Sequence, residues 1–312
     1  MHRKCWNSWA ARCVEKFQYE SLCMDSNNNE PRIINGVEVR PYILTPEQIM
    51  EMVKPLANHP KLVRRLMRML KMDGVNNLHL HNYNTPGVEF TTGILNELDI
   101  KLRVDNEEQL AAMGSEPFIT VSNHPFGALD GIALINVVGK YRPDFKVMVN
   151  MILNHITAMR PNFIAVDALQ SDDPKKKAVS MKGIKEAIDQ VRSGKPLGFF
   201  PAGAVSKING RLQLEDRQWQ PTVVRLVKQL GVPVVPIYFH GSNSWWFNLL
   251  GRISWQLRTL RLPAEVFGKR HKTIHLSVGT PITPEQIKAH AGSIEELGEY
   301  LKQQTYRLRS CK

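Results

Sequence analysis

The run Ile119-Thr120-Val121-Ser122, followed by Asn123-His124-Pro125-Phe126-Gly127-Ala128-Leu129-Asp130-Gly131, constrains the fold more than any other stretch of the chain. β-Branched residues favour extended backbone, small and polar residues come next, and an apolar run from Ile132 to Val138 continues. This pattern predicts a strand, a sharp turn and the start of a helix. It places His124 at the carboxyl end of a strand, where α/β sheets hold their ligands. Pro125 disfavours helical backbone at His124 and so keeps it in the turn. Asp130, six residues on, is in reach of one ring nitrogen while the other faces a substrate. That pairing orients a histidine base and stabilises its cation. On the residues alone a second reading stays open, in which a loop histidine precedes an Asp that caps the helix.

Strands and helices alternate around this unit. The segments 100–104, 117–121, 145–150, 163–166, 197–200, 232–239 and 274–278 read as strands. Helical periodicity marks 61–72, 85–99, 179–191, 222–230 and 284–308, and a further helix starts at Thr45 with Pro46 and Gln48 in a capping-box arrangement. Residues 172–177 read as a charged loop. The alternation predicts an α/β fold, a single mixed and largely parallel sheet covered by helices, with an N-terminal helical appendage. Trp6, Trp9, Val14 and Phe17 share a helical face, but a polar linker at 25–29 and Pro31 follow. Residues 1–40 are therefore read as a poorly ordered extension, 41–84 as a helical segment and 85–312 as the α/β domain.

Charge narrows the function classes. A net charge of +12 points to a polyanionic partner such as nucleic acid, anionic lipid or a phosphate-bearing substrate. No helix-turn-helix spacing, zinc pattern or RNP-type aromatic block accompanies it, so a basic nucleic-acid-binding protein is the rival of another class. A serine hydrolase lacks its GxSxG elbow, since Ser206 follows Gly203 without that spacing. Cys5, Cys13, Cys23 and Cys311 form no CxxC pair, so neither a disulfide framework nor a zinc knuckle is indicated. His79, His81 and His155 show no recognised ligand spacing, read as surface or packing residues, and call for no metal. No apolar stretch reaches the roughly 18 residues of a membrane span, and the basic start lacks the apolar run of a signal peptide. The expected location is cytoplasmic, peripheral on the inner face of the cytoplasmic membrane. In 61–72 an apolar stripe (Val63, Leu66, Met67, Leu70) lies among Lys61, Arg64, Arg65, Arg68 and Lys71 without an acid. That helix either packs its stripe on the main domain or lies on an anionic membrane. Trp245-Trp246-Phe247, followed by arginines at 252, 258 and 261, forms a second candidate membrane contact.

Three ordered blocks carry a resemblance: Asn123-His124 with Asp130, then Phe200-Pro201-Ala202-Gly203, then Val235-Pro236-Ile237. Over about 95–283 the chain resembles the glycerolipid acyltransferase superfamily, with its PlsC-like phosphate acyltransferase domain. The extended blocks Asn123 to Gly131 and Phe200 to Ser206 are similar to a bacterial hemolysin-type branch, some of whose members acylate amino-acid lipids. The resemblance implies a glycerol-3-phosphate acyltransferase-like fold and an O-acyltransferase that uses an acyl thioester on acyl carrier protein or coenzyme A. It implies no permanently bound cofactor, and an acceptor hydroxyl on a lysolipid. His124 would be the general base and Asp130 its partner. Asn123, Arg160, Asp167, Pro201, Ala202, Gly203, Ser206, Lys207 and Asn243 would contact substrate, and backbone amides around Gly203 would meet the oxyanion. Three departures stand out: five residues separate His124 from Asp130 where four are usual, Ala202 replaces a Glu, and Asp167 stands in the block where an Arg meets phosphate. The altered cleft implies an amine-bearing acceptor, a mono-acylated amino-acid lipid, with 1-acylglycerol-3-phosphate or another lysophospholipid as the alternative.

Overall fold

The computed structural model of the chain describes residues 29–167, 173–209 and 213–310, with the side chains of 256 and 257 left aside. The four cysteines and the Trp6–Phe17 face lie outside the described residues, as do parts of the 25–29 linker. In chain order the strands are β1 (Arg32–Ile34), β2 (Val37–Val39), β3 (Lys101–Asp105), β4 (Ile119–Ser122), β5 (Lys146–Asn150), β6 (Phe163–Val166), β7 (Leu197–Phe199), β8 (Lys207–Ile208), β9 (Leu214–Glu215), β10 (Val234–His240) and β11 (Thr273–Val278). Seven of them make one sheet in the order β3-β11-β10-β4-β7-β5-β6. Every pairing in it is parallel except β10 with β11. The fold is thus α/β with a mixed, largely parallel sheet.

β4 is the middle strand, and all four of its residues are buried. The two-residue period of a strand sends its side chains into two separate cores. Ile119 and Val121 join Ile164, Phe199, Val227 and Leu301 on one face. Phe118, just before them, joins Leu134, Ile135, Phe145 and Phe239 on the other. Burying a Val or Ile side chain contributes about 1.5–3 kcal/mol, so the strand is anchored from both sides. β4, β5, β6, β7 and β10 run the same way and end at one edge, where the turn after β4 opens, while β3 and β11 run the other way.

Four local readings need correction. Residues 32–39, placed in the extension, pair as an antiparallel hairpin across Asn35-Gly36, the dipeptide favoured in two-residue hairpin turns. The helix read at 61–72 ends earlier, spanning Pro60–Met69, and Lys71 at φ 62° separates it from a further helix, Met72–Asn82. The charged loop at 172–177 is largely helix: Pro174–Arg192 begins there, and the Asp173 carboxylate caps it by accepting the Lys175 N–H at 2.9 Å. The closing helix is also two, Pro284–Ala289 and Ile294–Arg307, the second starting with a Ser293/Glu296 capping box. The helix at Pro46–Met52 carries the expected Thr45/Gln48 box. Among the described residues no helix is long and apolar enough to cross a membrane.

The N-terminal helices are tied to the main core. Leu78 and Tyr83 share a cluster with Phe90 and Ile135, and His79 is buried between the rings of Tyr83 and Phe90. Its Nδ1 lies 3.1 Å from the Pro41 carbonyl. Burial lowers the His79 pKa from 6.5 to about 4, the carbonyl contact opposing only in part. Between those values the unfolded chain holds a proton that the folded chain excludes. Stability therefore falls as pH drops from about 6.5 to about 4, by roughly 3 kcal/mol in all. Urea unfolding across that window should show this slope in the wild type and a flatter one in His79→Phe. Equal slopes would assign the acid sensitivity to other groups.

Candidate active site

Where β4 ends, Asn123 locks the chain to its neighbour β10. Its Oδ1 accepts the Phe239 N–H at 2.7 Å, and its Nδ2 donates to the Phe239 carbonyl at 2.9 Å. Leaving either backbone group unpaired in this buried place costs about 1–3 kcal/mol. Both ends of the amide are thus engaged by the scaffold, so Asn123 positions the turn. His124 follows with its side chain 19% exposed. Gly127 then caps helix Ala128–Gly139 at φ 84°, and an added Cβ would come within 2.9 Å of Leu262.

Asp130 sits in the first turn of that helix and is fully buried. Its Oδ2 accepts the N–H groups of Phe126 at 2.8 Å and Gly127 at 2.9 Å. The same oxygen is 2.9 Å from His124 Nδ1. The two sequence readings therefore coincide: the capping carboxylate is also the histidine's partner. The ring approaches off the line of an ideal N–H···O bond, so the close contact of Nδ1 with the carboxylate is not a well-aligned hydrogen bond. Burial pushes the Asp130 carboxyl up from its ordinary range, while His124 and the two backbone N–H groups pull it back. The positive end of the helix favours its anion as well. Phe200 covers one side of the imidazole, ring centroids 4.4 Å apart.

A second buried carboxylate braces the turn, and sequence reasoning missed it. Asp216 accepts the Ser206 hydroxyl at 2.5 Å, the His124 backbone N–H at 3.3 Å and the Trp219 indole N–H at 3.3 Å. Its own N–H donates to the Tyr306 hydroxyl at 2.7 Å. Desolvation raises the Asp216 pKa, and these donors and the nearby His124 oppose the rise. Ser206 closes the loop by donating its N–H to the His124 carbonyl at 2.8 Å. Beneath it, Arg258 is 6% exposed and donates to the Val205 and Ser206 carbonyls at 3.1 and 3.3 Å. In sequence Arg258 is one of a run of basic residues; in the fold its burial, its carbonyl bonds and the packing of Phe247 against its guanidinium separate it from the surface ones. Asp216, ten residues past Ser206, stands in no recognisable spacing.

The remaining candidates divide. Asn243 is drawn to the turn, its Nδ2 donating to the Phe126 carbonyl at 3.4 Å, with a buried Oδ1 that has no partner among the described residues. Gly203 lies at φ 63° in the loop after β7, where a Cβ would fall 2.1 Å from the Gln220 amide. Its N–H already donates to Phe200, so that amide is no free oxyanion donor. The Pro201 carbonyl accepts the Gln220 N–H, and Ala202 packs into the apolar core beside Phe199 and Trp219. Lys207 is exposed next to Ser206. Lys269, also missed, lies 4.4 Å above the Phe126 ring, where burial lowers its pKa and Asp130 opposes the shift. Two candidates are not brought to His124. Arg160 donates to the Asn154 carbonyl and lies 3.6 Å from Glu38 of the hairpin. Asp167 follows edge strand β6, three strand spacings or about 14 Å from β4.

A histidine fixed at a sheet edge against a buried carboxylate can take a proton from a weakly acidic hydroxyl and return it to a leaving group. The sequence profile of the family described as "Acyltransferase" matches residues 48–312. The lyso-glycine lipid O-acyltransferase of Phocaeicola vulgatus is 29% identical over 257 residues, 79% of this chain and 87% of that protein. The protein of that name from Bacteroides thetaiotaomicron is 30% identical over 254 residues, 79% of this chain and 89% of its own length. A solved structure, the 1-acyl-sn-glycerophosphate (LPA) acyltransferase PlsC from Thermotoga maritima, aligns over 86% of this chain and 90% of that one, at 16% identity and a TM-score of 0.45.

The His124 ring packs on Phe200, and its Nδ1 makes no well-aligned hydrogen bond, so a proton-transfer role can be tested apart from folding. His124→Ala should lower the rate of acyl transfer by about 10²- to 10⁴-fold with the thermal transition little changed. Asp130→Asn should lower both, since an amide cannot accept from His124 and two backbone N–H groups as a carboxylate does. Steady-state kinetics beside a melting curve separates these effects. A His124→Ala rate within about tenfold of the wild type contradicts the assignment.

Proposed function

The chain belongs to this acyltransferase family, and on that premise we propose that it moves a fatty acyl group from a thioester to the hydroxyl of a lysolipid with an anionic headgroup, a mono-acylated glycine lipid in the first instance. His124, held against Asp130 at the end of β4, carries the reading. The imidazole takes the hydroxyl proton as the oxygen attacks the thioester carbonyl. The C–S bond breaks as the tetrahedral intermediate collapses, the new ester remains, and the proton passes from His124 to the departing thiolate.

The acceptor follows from the charges around the turn. Both relatives are named for a lyso-glycine lipid, and glycine joined to an acyl group through its nitrogen keeps a free carboxylate. Lys207, Arg217, Arg258 and Lys269 lie on or next to residues that contact the turn, and the carboxylates there, Asp130 and Asp216, are buried and taken up by its own N–H and O–H groups. Asp167, expected to pair with an ammonium, lies at the far edge strand, and Ala202 adds no charge. An anionic headgroup therefore fits better than the amine-bearing one that the sequence implied. Lysophospholipids, anionic through phosphate, are the second reading.

Membrane contact is peripheral in this proposal, on the inner face of the cytoplasmic membrane. On helix Pro60–Met69, Val63 and Met67 are buried while Leu62 and Met69 are exposed among Lys61, Arg64, Arg65 and Arg68. Trp245, Trp246, Ile253 and Trp255 form a second exposed apolar group. Phe247, grouped with them from sequence, is instead 1% exposed. Each basic side chain near an anionic surface contributes on the order of 1 kcal/mol.

One assay tests the whole reading. Initial rates are compared for a hydroxyl-bearing N-acyl glycine, its methyl ester, lyso-phosphatidylethanolamine and lysophosphatidic acid, in anionic vesicles and in detergent, with acyl carrier protein and coenzyme A thioesters in parallel. The free acid should be used best, and Lys269→Gln should raise its KM more than that of the ester. Arg64→Glu with Arg68→Glu should slow the vesicle reaction and spare the detergent one. Preference for the ester or the amine-bearing lipid overturns the acceptor; no transfer from either thioester overturns the reaction.

A further inference from the structure

Asp105, His240 and His275 come from three adjacent strands, β3, β10 and β11, and take no part in the site described above. His240 and His275 stand directly opposite each other in the antiparallel β10–β11 pair, so their side chains leave the same face. Their rings stack with centroids 4.1 Å apart and 11° between planes. In the parallel β11–β3 pair Ser277 lies opposite Asp105. Asp105 Oδ2 accepts the Ser277 hydroxyl at 3.0 Å and pairs with His275 Nε2. His240 Nε2 lies 2.8 Å from the same Ser277 hydroxyl. One ligand atom from each of the three residues falls within 4.8 Å of the other two, and all three residues are half-buried.

We propose that Asp105, His240 and His275 bind a divalent metal ion, with Zn²⁺ as the ion that the donor set fits best. Two imidazoles and a carboxylate are a three-ligand set that leaves a fourth position for water. Imidazole donors favour zinc and its transition-metal neighbours over magnesium or calcium, which take oxygen ligands. Zinc–ligand distances of about 2.0–2.2 Å in a tetrahedron put donor atoms about 3.3 Å apart. From separations of at most 4.8 Å, that is reached by rotating side chains on strands whose register is already fixed. The Ser277 hydroxyl, bonded to the carboxylate, is the kind of outer partner that orients a metal ligand. Arg103, 3.3 Å from Asp105 Oδ1, opposes the ion, but it is well exposed and such a pair holds weakly.

The ion's role is structural. It would join three strands across the antiparallel pairing of the sheet. It would also fix the end of β10, from which the chain runs to Asn243 and its contact with Phe126. Residues 105, 240 and 275 show no ligand spacing along the chain and meet only through sheet order.

The test uses the full chain, stripped with a chelator and with its four cysteines alkylated so that thiols cannot hold the metal. ZnCl2 is titrated by calorimetry and the melting temperature is followed, with the visible spectrum of Co²⁺ as a report on coordination. One equivalent should bind the wild type, raise its melting temperature and give Co²⁺ bands of a nitrogen–oxygen site. His275→Gln and Asp105→Asn, each retaining polar side chains of similar size, should weaken binding at least tenfold and lose the thermal shift. Wild-type binding and thermal shift no greater than in both variants would overturn the site and leave a hydrogen-bonded strand edge. Should one variant fail to fold, the other with the Co²⁺ spectrum decides: an unperturbed aqueous spectrum in the wild type also overturns the site.

Discussion

The contact on which the site depends is that of the buried Asp130 carboxylate with the turn it caps. Its Oδ2 gathers the Phe126 and Gly127 N–H groups and His124 Nδ1 within 2.9 Å. A carboxylate without such partners would be neutral at this depth, and a neutral acid would not hold the imidazole in place. The helix N-terminus makes the anion tolerable, and the anion makes the histidine directional. The same arrangement accommodates five residues between His124 and Asp130: the turn bends at Gly127, so the extra residue lengthens the loop without moving the carboxylate out of reach.

The scaffold holds this contact from several sides. Asn123 fixes the strand end to β10, while Asp216 grips the His124 backbone and Ser206 together. Tyr306, from the closing helix, bonds the Asp216 backbone, so the C-terminal segment is linked to the turn through two hydrogen bonds. These polar groups are buried on the apolar cores of both sheet faces, where a lost partner costs more than in water. Arg258 adds a cation under the same loop, bonded only to carbonyls among the described residues. In the proposed reaction that positive charge lies near where an acyl oxyanion and an acidic headgroup would come.

What was legible in the sequence was local. The β-branched run ending at His124, the cap at Thr45 and the alternation of strands and helices each depend on neighbours within a few residues. The placement of His124 beside Asp130 was readable because one turn contains both. Asp216, Arg258 and Lys269 were not, since each reaches the turn through sheet order or through a helix packed across it. Candidates chosen by analogy fared according to the same rule. Ser206 and Asn243 contact the turn, whereas Arg160 and Asp167 sit on elements that the sheet order carries away. The missed hairpin and the divided closing helix had local signals, Asn35-Gly36 and Ser293 with Glu296, outweighed by broader readings of composition and periodicity.

The central claim is that Asp130 fixes the tautomer of His124, with the proton on Nδ1 and Nε2 left as the base. Nitrogen NMR of labelled protein at neutral pH reads this directly. The His124 ring should show a protonated Nδ1 and an unprotonated Nε2, and Asp130→Asn should mix or reverse the two. A wild-type His124 with its proton on Nε2 would contradict the account, because that nitrogen could not then accept a proton from the acceptor hydroxyl.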